Sequence, residues 1–285
     1  MKKIYDLFRK MPLLTGIVGV ALLTVATRGI DTGRTIGFAG MMLRIILAFA
    51  AMAFVALISG NKVFERTGNK TGYGVLRGLP ILIFPFFPMI SNFVKHFSAH
   101  DSLVDKWPLT LLIMLVELIF VGIFEEMCFR ALVHDAILYT FRDKKGVFVA
   151  IALISSFVFG VVHILGTEIG SPLDFAQAAL KTITTAMGGF IFLIIYWKTG
   201  NIWACAIIHA LMDIISTLSD TIFSAGGAEV NYVMNKEMEF NGISINMGWA
   251  AVVFYIFQLI FNAIIILTMI KTLKSVDFEK IRKEW

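Results

Sequence analysis

Phe124-Glu125-Glu126-Met127-Cys128-Phe129-Arg130 places three ionisable side chains within six residues. The stretch lies inside an apolar run from about Leu109 to Leu138, long enough to cross a bilayer. On insertion scales a charged residue near the middle of a membrane helix costs ~2.5–3.5 kcal/mol, so three would cost roughly 8–10 kcal/mol if the terms added. Such groups persist where they pair with one another or face a wet site. The rest of the chain therefore reads as scaffold around this stretch.

Of the 285 residues, 58% are apolar and 16% charged, and the mean hydropathy is +0.82. A soluble domain has about 45–50% apolar and about 25% charged residues, so the composition is that of a polytopic membrane protein. The net charge of +5 does not indicate a nucleic-acid binder, because the basic residues sit in loops between apolar runs. The two cysteines, Cys128 and Cys205, fall inside expected spans, which argues against a disulfide framework. The basic start, Met1 to Lys10, precedes an apolar run without a small-residue cleavage site and reads as the lead-in to a retained first span. No C-terminal lipidation motif is present.

Working outward gives eight apolar segments: Pro12–Thr27, Ile36–Gly60, Val75–Val94, Leu109–Leu138, Val147–Leu165, Phe175–Trp197, Ile202–Leu218 and Gly248–Ile270. The expected fold is all-α, a single membrane domain over 1–285 in which about eight helices enclose a polar cavity, with a motif-bearing core at 109–218. Seventeen of the lysines and arginines fall on the N-terminal side of these spans: Lys2, Lys3, Arg9, Lys10, Lys62, Arg66, Lys70, Arg77, Arg142, Lys144, Lys145, Lys198, Lys271, Lys274, Lys280, Arg282 and Lys283. Six fall on the other side: Arg28, Arg34, Lys95, Lys106, Lys181 and Lys236. The positive-inside rule then expects cytoplasmic termini. Arg44 and Arg130 lie within spans.

Pro80, Pro85 and Pro88 each remove a helix hydrogen bond, which predicts a kinked or broken third span. Gly188-Gly189 permits a bend or close packing in the sixth. The polar stretch Ser219–Met247 contains Gly226-Gly227 and Asn241-Gly242. The latter is flanked by Glu239-Phe240 and Ile243-Ser244-Ile245, which reads as a small hairpin or ordered loop, or equally as a connector. Glu117 and Arg44 can pair or face the cavity, and Lys181 sits where it can snorkel.

Three spans carry polar groups at helical spacing. Glu126 and Arg130 are four apart, share a face and can form an ion pair, while Glu125 is rotated by about 100°. Phe159 and His163 are four apart, as are His209 and Asp213. An aspartate so placed can accept a proton from the imidazole and fix its tautomer. Each feature alone also serves as a packing device between helices.

Together, Glu125-Glu126-x-x-x-Arg130, Phe159-x-x-x-His163 and His209-x-x-x-Asp213, in this order on separate spans, resemble the CAAX protease and bacteriocin-processing family (CPBP, or Abi) of intramembrane peptidases. The third motif more often ends in Asn, so Asp213 is a departure in charge that leaves open whether it donates to an oxyanion or orients His209. The resemblance implies that Glu125 activates water, His163 holds the same water, Glu126 and Arg130 form a supporting pair, and His209 and Asp213 stabilise the tetrahedral oxyanion. It implies hydrolysis of a peptide bond in a membrane-associated peptide or protein, with no covalent intermediate. The family is often labelled a metalloprotease, and Glu125, His163 and His209 would be the ligands of a zinc ion. The sequence lacks His-Glu-x-x-His and requires no cofactor.

Two other classes compete: a non-proteolytic scaffold or immunity protein on the same fold, and a proton-coupled transporter using Glu125 and Glu126. The intact candidate set favours the enzyme, and the absence of an inverted repeat counts against transport. The expected partners are the bilayer and the substrate, with no nucleic acid, and the expected location is a bacterial cell membrane. Along the helices, Glu125 is about 21 Å from Tyr139 and His209 about 13 Å from Gly200. The two match if the fourth helix tilts or extends beyond its neighbours. By the resemblance, the cavity is expected to open on the cytoplasmic side, the side of the termini.

Overall fold

The computed structural model describes residues 8–30, 37–65, 70–223, 232–234, 237–240 and 243–284. Lys2, Lys3, Arg34, Arg66 and Lys236 of the loop cations, and the pairs Gly226-Gly227 and Asn241-Gly242, lie outside the described residues.

Eight helices are long and apolar enough to cross a membrane: α1 Pro12–Gly29, α2 Phe38–Ser59, α3 Thr71–Ala99, α4 Trp107–Phe141, α5 Val147–Ile164, α6 Pro172–Thr199, α7 Ile202–Ile222 and α8 Met247–Lys274. The short helix α9, Phe278–Glu284, follows them. Large apolar side chains such as Leu153, Phe157 and Phe257 stay on the outside of the bundle. Helices that are apolar on every face fit a lipid surround. The polar stretch after α7 contains an antiparallel hairpin of β1, Glu237–Phe240, and β2, Ile243–Asn246, paired from Glu237 with Asn246 to Phe240 with Ile243.

Inside the bundle, α7 packs along α4, α2 packs on the other flank of α4, and α6 lies between α5 and α8. Two glycines set the closest approaches. A side chain on Gly122 would meet the Ala206 carbonyl at 2.8 Å, and one on Gly160 would collide with the Thr182 carbonyl. Close backbone contact of this kind is how membrane helices replace the hydrophobic drive they lack in lipid. The α6–α7 corner is compact because Gly200 takes a left-handed φ of 68° and Asn201 immediately caps the next helix, accepting from the Ala204 amide.

The third span breaks where its prolines predict. A 3₁₀ turn, Leu79–Leu82, holds Pro80, and α-helix resumes from Ile83 with Pro88 inside it. Gly189 is a packing glycine, since a side chain there would press on Phe159 at 3.0 Å, whereas Gly188 faces open space.

The fourth span departs from a plain helix. At Met127–Leu132, directly after the paired glutamates, it widens into a π-helical turn. The hydroxyl of Ser155 on α5 donates to the Phe129 carbonyl in that turn at 2.6 Å. Beyond the turn, Trp197 Nε1 donates to His134 Nε2 at 3.0 Å, which puts His134 level with the end of α6. The remaining residues, Asp135–Phe141, run on for about 10 Å at the α-helical rise and pack against α1, where a side chain on Gly16 would collide with Ala136. This overhang removes the mismatch between the Glu125–Tyr139 and His209–Gly200 lengths.

Candidate active site

The six candidate site residues, Glu125, Glu126, Arg130, His163, His209 and Asp213, converge between α4, α5 and α7. The Glu126 carboxylate is fully buried and serves two partners. Its Oε1 accepts from Nδ1 of His209 at 2.7 Å, and its Oε2 lies 3.2 Å from Nε of Arg130. The arginine contact is an ion pair rather than an aligned hydrogen bond. The guanidinium is sandwiched instead, 3.9 Å from the Phe159 ring centroid and 5.2 Å from that of Phe192. Phe159 thus has a defined task, covering the cation with an aromatic face. Phe192 also stacks on His209, with centroids 5.3 Å apart.

Glu125 points away from this pair. Its Oε2 lies 3.5 Å from Nε2 of His209 and 3.8 Å from Nε2 of His163. His163 donates its Nδ1–H to the Phe159 carbonyl at 2.7 Å, which leaves Nε2 of the neutral ring as a lone pair facing Glu125. Asp213 reaches the same site, with Oδ2 at 3.7 Å from Nε2 of His209.

This geometry corrects one assignment. The group that fixes the His209 tautomer is Glu126, arriving from the facing helix, and not Asp213. The i,i+4 spacing brings Asp213 beside the ring but on its Nε2 edge, at a longer distance. Asp213 therefore shares the Nε2 edge of the imidazole with Glu125. Glu126, read from sequence as a partner of Arg130 alone, links the cation to the histidine.

Exposure divides the six residues into two layers. The side chains of His163, Glu125 and Asp213 are 17%, 20% and 25% exposed, while those of Glu126, Arg130 and His209 are at most 3%. Within the accessible layer His163 is next to last in α5, near that helix's finish, and Asp213 is one turn beyond His209 in α7. The opposite end carries the start of α5 and the finish of α6 and α8, joined by Phe148, Trp197 and Phe278.

Three further residues, Lys181, Tyr232 and Arg28, border the site without belonging to any of the motifs. Lys181 of α6 lies 4.3 Å from the Tyr232 ring centroid, and that ring is 6.2 Å from His163. A signal for Lys181 was present in the sequence. Gln177, Lys181, Thr184 and Thr185 recur at helical spacing in a mostly apolar span. Tyr232 sits in a connection and leaves no periodic trace. Arg28, at the end of α1, donates to the Val162 carbonyl at 2.8 Å beside His163. Among the described residues Glu117 and Arg44 make no ion pair: Glu117 accepts from the Gly37 amide at 3.4 Å, and Arg44 acts through space on Glu117 and Glu125. Cys128 and Cys205 are buried and free.

Two imidazole nitrogens and a carboxylate are a donor set that zinc accepts. Among the described residues, however, no three His, Cys, Asp or Glu are arranged to hold a metal ion.

The fold and site define a class: a polytopic membrane protein with a carboxylate–histidine centre buried among its helices. Residues 107–215 match the Rce1-like family, described as type II CAAX prenyl endopeptidase Rce1-like, which shows the resemblance drawn from the motifs. The matched segment runs from the start of α4 into α7 and contains all six residues. It supports a CAAX-type intramembrane endopeptidase in general. Comparison with curated proteins and with solved structures gives no match.

Proposed function

We propose that the protein hydrolyses a peptide bond of a membrane-associated peptide or protein with a water activated by Glu125. The observation that carries this reading is the Glu125 carboxylate facing two imidazole Nε2 atoms at 3.5 and 3.8 Å. Convergence of this kind is what water activation needs, whereas a proton path for transport would string its acids along the bundle.

Glu125 and the Nε2 lone pair of His163 are both acceptors, so one water can donate a hydrogen to each. Glu125 takes the proton as the water oxygen bonds to the scissile carbonyl carbon. The carbonyl π pair moves onto oxygen, where the Nε2–H of protonated His209 donates to the oxyanion. His209 fits the charged form, because Nδ1–H is committed to Glu126 and Nε2 faces the oxygens of Glu125 and Asp213. Collapse of the intermediate breaks the C–N bond. The proton held by Glu125 passes to the departing nitrogen, leaving an acid and an amine. Glu126 and Arg130 position His209 and do not touch the reacting atoms. The proposed reaction routes no step through a metal.

The test compares wild type with Glu125→Ala and His163→Ala in detergent, after thermal melts establish equal folding. Each is incubated with membrane-peptide substrates, with and without chelator, and the new termini are sequenced. Cleavage by wild type that both substitutions abolish is the expected result. Cleavage retained by Glu125→Ala removes the proposed base, and loss of wild-type cleavage with chelator replaces the metal-free route.

A further inference from the structure

Ser155 of α5 directs its hydroxyl away from its own helix. A helical serine or threonine commonly returns its proton to the carbonyl four residues back, as Ser59, Thr182 and Thr199 do. Ser155 donates instead across to α4, to the Phe129 carbonyl at 2.6 Å. The π turn makes that carbonyl available. In an α-helix the Val133 amide would donate to it, four residues back. In this turn the amide donates to the Cys128 carbonyl, five back. Ser155 and Phe129 are both buried, where a carbonyl without a donor is costly.

The bond sits at one end of a ridge on α5. Ser155, Phe159 and His163 recur every four residues and share a face. The Phe159 ring meets the Phe129 ring with centroids 5.1 Å apart and covers the Arg130 guanidinium at 3.9 Å, both partners belonging to the π turn. The Phe159 carbonyl accepts from His163 Nδ1 at 2.7 Å, and His163 Nε2 faces Glu125 Oε2 at 3.8 Å. Glu125 lies one turn before Phe129 on α4. The Ser155 bond and the Glu125–His163 gap are therefore two rungs between the same pair of helices. Because α5 is continuous from Val147 to Ile164, a slide or rotation at Ser155 is carried along to His163, two turns on.

We infer that Ser155 is a positioning residue: its hydroxyl pins α5 to the π turn of α4 and so fixes the separation of Glu125 from His163, the two acceptors that share the attacking water. The catalytic consequence rests on the peptidase reading, to which the inference adds a residue outside the three motifs. Misplacing reacting groups by about 1 Å can cost about a hundredfold in rate, so one hydrogen bond between helices, two turns from the site, bears on kcat.

The test uses the full chain in detergent and reads kinetics and histidine resonances together. Ser155→Ala removes the donor. Ser155→Cys keeps the bulk with a weaker donor and serves where the alanine variant does not fold. Ser156→Ala is the control: it makes the same deletion one residue on, at a buried hydroxyl with no hydrogen-bond partner among the described residues. With a fluorogenic membrane peptide that wild type cleaves, Ser155→Ala is expected to lower kcat about tenfold, with KM within about twofold of wild type. Ser155→Cys should lower kcat by less, and Ser156→Ala should leave it unchanged. Nitrogen NMR of isotope-labelled histidine rings, with the His163 signals assigned by their loss in His163→Gln, is expected to show those signals displaced in both Ser155 variants and unmoved in Ser156→Ala. A Ser155→Ala variant that melts lower but keeps kcat and the His163 signals overturns the inference, since the hydroxyl would then only satisfy a buried carbonyl. So do displaced signals with an unchanged kcat, a loss confined to KM, or an equal loss in Ser156→Ala. If wild type cleaves no peptide, the peptidase reading fails for those peptides, and the resonances still decide whether Ser155 sets the place of His163: unmoved signals overturn it.

Discussion

At the scale of single residues, the two adjacent glutamates do different work because one turn of helix gives them different surroundings. Glu126 is fully buried between Arg130 and His209, while Glu125 is partly exposed between two imidazole edges. Removing one partner of a buried ion pair leaves an uncompensated charge and costs about 3–5 kcal/mol. Glu126→Gln is therefore expected to lower stability by about that amount, with a clear drop in the melting temperature in detergent. Glu125→Gln is expected to melt close to wild type and to abolish cleavage. The reverse pattern would exchange the two roles. Phe159→Leu tests the aromatic cover on Arg130. A desolvated cation–π contact is worth about 2 kcal/mol, so the variant should melt lower, and Phe159→Tyr, which keeps the aromatic face, should restore most of the loss.

At the scale of elements, the site depends on how closely α4 and α7 approach. The Glu126–His209 hydrogen bond bridges these helices, and Gly122 lies one turn before Glu126, against Ala206 and Ala210 of α7. Gly122→Val must separate the two backbones. Overpacking costs typically about 1–3 kcal/mol, and stretching a 2.7 Å bond that orients the imidazole should reduce kcat more than it raises KM. A variant that lost stability without any effect on kcat would detach helix spacing from His209 positioning. Much of this level was legible in the sequence. Eight apolar runs, three prolines in one span and three pairs at i,i+4 spacing are local patterns, and each predicts an element or a shared face. The π turn at Met127–Leu132 was not legible, because a widened turn differs from an α-turn by one hydrogen-bond register that no residue type encodes. The Glu126–His209 bond was hidden for a related reason. Spacing within a helix reveals neighbours on its own face, whereas a bond between helices depends on their rotation and separation, set here by glycines scattered among many others.

At the scale of the whole molecule, we propose that the site is reached from the end of the bundle opposite the termini, on the ground of which helix ends surround it. His163 is near the finish of α5, Arg28 near the finish of α1, Lys181 in the first half of α6, and Tyr232 between α7 and α8. In a bundle whose spans alternate in direction, these positions share the end opposite the start of α1 and the finish of α8. The other end is filled by Phe148, Trp197 and Phe278 and by the Lys198 ammonium donating to the Ser275 carbonyl at 3.0 Å. Charge counting could not reveal this, because it orients the loops without saying how deep a site lies. Arg28 and Lys181, which entered that count as interface cations, in fact belong to the neighbourhood of the site. Lys181→Cys in a background where Cys128 and Cys205 are replaced by alanine should react with a membrane-impermeant maleimide. In sealed vesicles, labelling is expected where a tag on the N-terminus is shielded from added protease, and not where the tag is cut. Labelling confined to vesicles with an accessible tag would place the approach on the side of the termini. Tyr232, whose carbonyl accepts from the Tyr255 hydroxyl of α8, would then close the back of the site instead of bordering its mouth.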